Sequence, residues 1–398
     1  MYRKYSKPIF SRGPASKSVQ AFRGRRQKGG GEHIDNSRFI SKAVITEQVE
    51  LFVPEHKFTD FKIDARLKHN ITTKGYSAPT PIQDRTIPHI LRKEDVVGIA
   101  NTGTGKTAAF LIPLINKVLT DNRENILIMV PTRELAIQID QEFKGFTHGL
   151  RMFSVCCVGG ASIGKQISEL RRKNNFLIGT PGRLKDLMER KMIDLAQFQT
   201  VVLDEADRML DMGFINDMRF MLGHMPAERH TLFFSATLSR DIENMIKDFL
   251  RDPVRISVKT QDTAKNVEQD IVKVKPGETK LDALNNLLKQ PGFDKVLIFG
   301  RTKHGVEKLA RMLEHRGFRV ESIHGNKSHP QRQRALGLFK DGRVQILVAT
   351  DVAARGLDIS NVSHVINFDK PATYDDYVHR IGRTGRADKK GKALTFIE

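Results

Sequence analysis

The chain has 398 residues, 39% hydrophobic and 28% charged, with 66 Lys and Arg against 46 Asp and Glu for a net charge of +20. At ~150 residues per domain this length predicts two to three domains, and an apolar share near the globular average of about 45% excludes wholesale disorder. The longest apolar run, Ala108 to Ile115, is far short of the ~18 to 20 residues that cross a bilayer, and the basic Met1-Tyr2-Arg3-Lys4-Tyr5 start lacks the apolar block of a secretory signal.

The two cysteines, Cys156 and Cys157, are adjacent, so they cannot join distant segments or complete a four-ligand zinc site. A reducing, cytoplasmic location is the expectation. The positive excess predicts a polyanionic partner, nucleic acid or an anionic membrane surface, against the alternative of a solvated basic surface.

Residues 1–31 hold nine Lys or Arg, no Asp or Glu, five Gly and four aromatics, including Phe22-Arg23-Gly24-Arg25-Arg26. Such a segment is too polar to fold alone. It reads as an arm that pairs Arg with phosphate and stacks aromatics on bases, or as a solubilising tail.

From Val96 onward short aliphatic runs alternate with amphipathic stretches of helical length, the pattern of parallel sheets with crossover helices. The expected strands are Val96 to Ile99, Ile126 to Val130, Val155 to Val158, Phe176 to Ile178, Val201 to Leu203 and Leu232 to Phe234. A polar stretch from Lys259 to Asn266 reads as a linker. Beyond it come Ile271 to Val274, Val296 to Phe299, Ile346 to Val348, Val365 to Phe368 and Ala393 to Ile397.

The chemistry gathers where these strands end. Ala100-Asn101-Thr102-Gly103-Thr104-Gly105-Lys106-Thr107 joins a strand to a helix. Its glycines let backbone N–H groups turn inward, Lys106 can reach phosphates, the Thr107 hydroxyl suits magnesium, and a helix N-terminus stands behind the anion. Asp204-Glu205-Ala206-Asp207 ends another strand, where open parallel sheets bind ligands, so one carboxylate can hold magnesium and the next can activate water. Thr132-Arg133-Glu134, Gly159-Gly160, Thr180-Pro181-Gly182-Arg183 and Ser235-Ala236-Thr237 follow other strands. Together they form an edge suited to a polyanion beside the nucleotide. The second half repeats the scheme with Gly300-Arg301-Thr302 and with Ala349 to Asp358, and adds His379-Arg380-Ile381-Gly382-Arg383-Thr384-Gly385-Arg386. Three arginines in that segment with no acid among them suit a γ-phosphate.

These motifs, with Gly75-Tyr76-Ser77-Ala78-Pro79-Thr80-Pro81-Ile82-Gln83 and the upstream Phe58, resemble a DEAD-box ATP-dependent RNA helicase, a superfamily-two helicase with two RecA-like domains. The resemblance runs from Phe58 to the C-terminus. It implies an α/β fold of two tandem RecA-like P-loop domains with parallel sheets, at 58–258 and 267–398. They are joined by a linker at 259–266 and preceded by a disordered basic arm and linker at 1–57. It also implies a helix after Ala393 to Ile397, where this sequence stops at Glu398, so the second domain is expected to be truncated.

By the same resemblance Gln83 reads the adenine edge and Phe58 packs on the base. Lys106 and Thr107 bind phosphates and Mg2+ beside Thr102, Gly103, Thr104 and Gly105. Asp204 holds Mg2+, Glu205 positions or deprotonates the attacking water, and Asp358 contacts the ribose. Arg383 and Arg386 are the arginine fingers. RNA contacts fall to Arg133, Gly160, Thr180 and Arg183 in the first domain and to Thr302, Gln331, Arg334 and Thr350 in the second, with Ser235 and Thr237 coupling the two sites through the acidic motif.

The implied activity is RNA-stimulated ATP hydrolysis by a monomer that has RNA rather than a membrane as partner. Closure of the cleft bends one strand and opens short duplexes without processivity. An ATP-gated RNA clamp or annealing chaperone without turnover is the alternative, and a DNA helicase differs only in sugar recognition, which backbone contacts do not report.

Overall fold

Among the described residues every pairing between strands is parallel, in two sheets of seven and six strands. The computed structural model describes residues 35, 39–41, 52–101, 103–258, 267–354, 359, 362–385 and 391–397, all within one unit, Ile34–Glu398. The arm at 1–31, the linker at 259–266 and the site candidates Thr102, Asp358 and Arg386 lie outside the described residues.

The first sheet contains β1 (Val96–Ala100), β2 (Ile126–Met129), β3 (Ser154–Cys157), β4 (Phe176–Gly179), β5 (Thr200–Leu203), β6 (His230–Ser235) and β7 (Val254–Val258). Their spatial order is β3-β4-β2-β5-β6-β1-β7. The second contains β8 (Val267–Lys273), β9 (Val296–Phe299), β10 (Val320–Ile323), β11 (Ile346–Ala349), β12 (His364–Asn367) and β13 (Gly391–Ile397), in the order β10-β11-β9-β12-β13-β8. This is the tandem α/β architecture expected from the alternating runs.

Central strands are largely apolar because helices cover both faces. In β2, Ile126 and Ile128 join the core on one face while Leu127 and Met129 join the other. In β9 and β11 the same alternation sends Val296, Ile298, Ile346 and Val348 one way and Leu297, Phe299, Leu347 and Ala349 the other.

The strands that an apolar-run reading misses lie at sheet edges. β7 and β10 were not expected, and only the end of β8 was. An edge strand keeps one side in water, so its sequence mixes in polar residues. Arg255 and Ser257 are exposed in β7, and Glu268 and Asp270 are exposed in β8.

Neighbours crowd the backbone at Gly98 in β1. A Cβ there would stand 2.5 Å from Cε1 of Phe234, whose fully buried ring packs on Phe110 at 5.5 Å. Gly98→Ala is expected to cost ~1 to 3 kcal/mol by overpacking, read as a lower urea midpoint. An unchanged midpoint would show that the ring has room to move.

Candidate functional site

Because all strands run the same way, their C-terminal turns share one edge, and the strand order sets which turns are neighbours. Along the first sheet come the turns after β3 (Gly159-Gly160), β4 (Thr180, Arg183), β2 (Arg133, Glu134), β5 (Asp204 to Asp207), β6 (Ser235 to Thr237) and β1 (the Gly-rich loop). The expected RNA residues stand on one side of the acidic turn and the expected phosphate loop on the other. The Ser235-Ala236-Thr237 turn lies between acidic turn and phosphate loop.

In the phosphate loop Gly103 and Gly105 take φ of 85° and 95°, which only glycine adopts without strain. Gly105 then caps the helix Lys106–Thr120. The loop is drawn in around its own lysine, as the buried Lys106 Nζ donates to the Ala100 carbonyl at 2.7 Å. Thr107 is half-buried one residue on. Thr80 Oγ1 donates to the Thr104 carbonyl at 2.8 Å, and Gln83 Nε2 donates to the Gly105 carbonyl at 3.1 Å. Gln83 Oε1 accepts from the Thr80 N–H at 2.9 Å. Both ends of the Gln83 amide are thus engaged by the protein, and the side chain is buried. Phe58 is also buried, edge-on to Phe61 and Tyr76 at 6.1 and 5.9 Å, so the aromatic cluster uses most of its surface.

At the acidic turn, burial pushes the Asp204 carboxyl up to about 6 against the pull of the Lys106 ammonium, with Glu205 adding repulsion. Its Oδ1 accepts the Glu205 N–H at 2.9 Å. Glu205 has φ of 52°, a left-handed conformation that costs a non-glycine residue energy and makes the sharp entry into the helix Ala206–Asp211. Its carboxylate pairs with the buried Arg208, whose Nε and Nη2 find no partner among the described residues.

Asp207 ties this turn to the next strand. Its Oδ2 accepts the Ala236 N–H and the Thr237 N–H, each at 3.1 Å, and the Thr237 hydroxyl at 3.2 Å. Ser235 instead donates to the Thr237 carbonyl at 2.8 Å. Thr237 therefore touches the acidic motif directly and Ser235 shapes the turn that presents it. Asp207 was not singled out in the sequence, since nothing local shows that β6 lies beside β5.

Arg133 lies over Gly159-Gly160, where a Cβ on Gly160 would fall 1.9 Å from its Nη1. Burial, with the nearby Arg332, holds the Arg133 guanidinium below its ordinary pKa. Arg183 donates to Gln166 Oε1 at 2.8 Å, and Thr180 precedes the helix Pro181–Glu189. In the second lobe Thr302 caps the helix Lys303–His315 by accepting the Gly305 N–H at 3.0 Å. Gln331 accepts the Ser328 N–H at 2.8 Å, Arg334 is exposed on the helix His329–Lys340, and Thr350 follows β11.

The lobes meet at these residues. Arg332 Nη2 stands 2.5 Å from Glu134 Oε1, with His329 Nδ1 3.6 Å from the same oxygen. Glu134 and Arg332 flank residues expected to bind RNA, yet only the tertiary structure pairs them.

Of the arginine-rich segment, Arg380 is committed to the fold. It makes a two-pronged pair with Asp351 at 2.6 and 2.7 Å, donates to Asn367 Oδ1 at 3.1 Å and the Asp369 carbonyl at 2.7 Å, and lies 5.0 Å from the Phe299 ring centroid. Arg383 is buried beside it, in a small recess shared with Phe299, Asp351 and His379.

A family model described as "DEAD/DEAH box helicase" matches residues 80–245, and one described as "Helicase conserved C-terminal domain" matches 279–388. The chain is 44% identical over 344 residues to the ATP-dependent RNA helicase CshA of Listeria monocytogenes, covering 86% of this chain and 66% of that protein. It is 45% identical over 342 residues to the DEAD-box ATP-dependent RNA helicase CshA of Bacillus subtilis, covering 85% and 69%. The chain thus spans about two thirds of the length of these curated relatives. The structure of S. cerevisiae Dbp5 bound to RNA and ADP BeF3 superposes with a TM-score of 0.74 at 29% identity, covering 86% of this chain and 89% of that one. Likeness that extends through both sheets, in the order the turns require, means that the chain belongs to the DEAD/DEAH box helicase family.

Proposed function

We propose that the chain is an ATP-dependent RNA helicase that hydrolyses ATP when RNA is bound and opens short duplexes by closing its cleft. The observation that carries this reading is the turn order of the first sheet. Asp207 physically joins the acidic turn to the turn beside the phosphate loop, and the opposite neighbour of the acidic turn is the arginine-bearing turn after β2.

In this reading Lys106 leaves the Ala100 carbonyl for the β and γ phosphates, and the N–H groups of Gly103, Thr104 and Gly105 surround them. Gln83 and Phe58 take the adenine. Glu205 orients the attacking water and accepts its proton once the Arg208 pair loosens. The residues present fit magnesium: a phosphate-bound ion takes one or two carboxylates rather than an all-protein cage, and Asp204 is a buried carboxylate that lacks a full set of partners. Thr107 and Asp204 would hold the ion, which when bound offsets the phosphate charge. Arg383 and Arg386 supply positive charge to the γ-phosphate, and Asp358 reaches the ribose.

Arg133, Gly160, Thr180, Arg183, Thr302, Gln331, Arg334 and Thr350 contact the RNA backbone, with Ser235 and Thr237 relaying nucleotide state. Glu134 and Arg332 hold the lobes together between these two half-sites. The domains are 58–258 and 267–398. Among the described residues no helix is long and apolar enough to cross a membrane, and a cytoplasmic monomer acting on RNA is the reading that accords with this. A clamp without turnover is disfavoured because Lys106, Asp204 and Glu205 are all in place.

Steady-state ATP hydrolysis, measured without nucleic acid, with single-stranded RNA and with DNA of the same sequence, is expected to rise with RNA alone. Lys106→Ala and Glu205→Gln are expected to abolish turnover, and wild-type rates in Glu205→Gln would remove that residue from the mechanism. Equal stimulation by DNA would overturn the RNA assignment.

Burial of Asp204 gives a second expectation. Its folded value of about 6 lies above the ordinary 3.8, so between these values the folded state holds the extra proton and stability falls as pH rises. Asp204→Asn removes that penalty. The ligand-free variant is expected to melt higher than wild type above pH 6 and to lose this advantage toward pH 4. A gap that does not depend on pH would contradict it.

A further inference from the structure

The far end of the first sheet, where β2, β4 and β5 begin, carries a cavity of about 460 Å³ that the nucleotide and RNA readings leave unused. Its lining is more polar than apolar; Val155, Leu170, Leu177, Ile193 and Phe198 form the apolar part, a floor beside which Met192 stands 39% exposed. Phe153, 58% exposed, adjoins it through its carbonyl, which accepts the Asn175 N–H at 3.1 Å.

Side-chain amides hold the rim in place. Asn175 Nδ2 donates to the Asn122 carbonyl at 3.1 Å, and Asn125 Nδ2 donates to the Gln197 carbonyl at 3.1 Å. These bonds pin together the three loops that enter β4, β2 and β5, so the cavity is preformed and little ordering is needed to fill it.

The rim is positively charged. Arg172 and Lys173 are exposed and make no ion pair among the described residues, as is true of the neighbouring Arg171. The one carboxylate in the lining, Asp194, is occupied by the Ala196 N–H at 3.1 Å and Gln197 Nε2 at 3.2 Å. The larger cavity beside the helix Ala65–Thr73 offers a contrast: its cations Arg66, Lys74 and Lys144 are already paired with Asp64, Glu142 and Asp140.

We propose that this cavity is a docking site for an acidic segment of a partner protein, which seats an apolar anchor on the Leu170–Leu177–Phe198 floor and sets its carboxylates against Arg172 and Lys173. The charge selects this occupant. The chain's own residues 1–31, with nine Lys or Arg and no acid, are repelled from a basic rim. RNA would satisfy the rim but leave the apolar floor unfilled. Lying at the edge opposite the phosphate loop and the acidic turn, the site can be occupied while both ligands are bound, so it suits recruitment rather than inhibition.

The test is selection of a random-peptide library on the full chain, followed by fluorescence polarisation of the selected peptides on wild type, on Arg172→Glu with Lys173→Glu, and on Met192→Asp. The expected peptides carry Asp or Glu around Leu, Phe or Met, and both variants weaken them by about tenfold or more, while RNA affinity and RNA-stimulated ATP hydrolysis stay at wild-type level. Peptides without acidic residues, peptides bound equally by the variants, or no enrichment at all would overturn the proposal. Loss of RNA affinity in the charge-reversed variant would assign the rim to RNA instead. The peptide-binding readouts do not depend on the helicase reading being correct.

Discussion

Parallel strands all end at one edge, and crossover connections deliver their turns to that edge in spatial order rather than in chain order. In the first sheet this constraint puts β6 between β1 and β5. The Ser235-Ala236-Thr237 turn is thereby wedged between the phosphate loop and the acidic turn, and Asp207 accepts three hydrogen bonds from it. Neighbouring strands thus bring into direct contact two turns that lie about thirty residues apart in the chain.

The same edge concentrates charge where water is scarce. Lys106, Asp204, Glu205, Asp207 and Arg208 are all buried. In the ligand-free site each finds a protein partner: the Ala100 carbonyl for Lys106, the Arg208 guanidinium for Glu205, the 236–237 turn for Asp207. Asp204 is the least well compensated, and its proton affinity rises accordingly. A buried charge that loses its partner is strongly destabilising, so these contacts hold the edge together. The internal bonds of Lys106 and Gln83 describe a loop closed on itself.

In the second lobe Arg380 serves the fold. Arg380 spends its donors on Asp351, Asn367 and Asp369, which fixes the end of the helix Tyr374–Ile381 against the C-terminal edge of β9, β11 and β12. Arg383 rides on that anchored turn. Glu134 and Arg332 join the lobes beside the residues expected to bind RNA.

The sequence alone determined the elements that physical chemistry makes local. Apolar runs marked the central strands because both of their faces are covered, and the Gly-rich loop and Asp204-Glu205 announced their chemistry through backbone freedom and charge at strand ends. It could not show β7 and β10, whose water-facing edges dilute the apolar signal, nor which residue of the acidic motif Thr237 meets, nor the pairing of Glu134 with Arg332, whose partners are far apart along the chain. The residues alone read as three arginines suited to a phosphate, the resemblance singled out Arg383 and Arg386, and the surrounding carboxylate and carbonyls give Arg380 its structural role. Residue type is written locally. Which residues become neighbours is decided by strand order and by how the two lobes meet, and those depend on the packing of the whole chain.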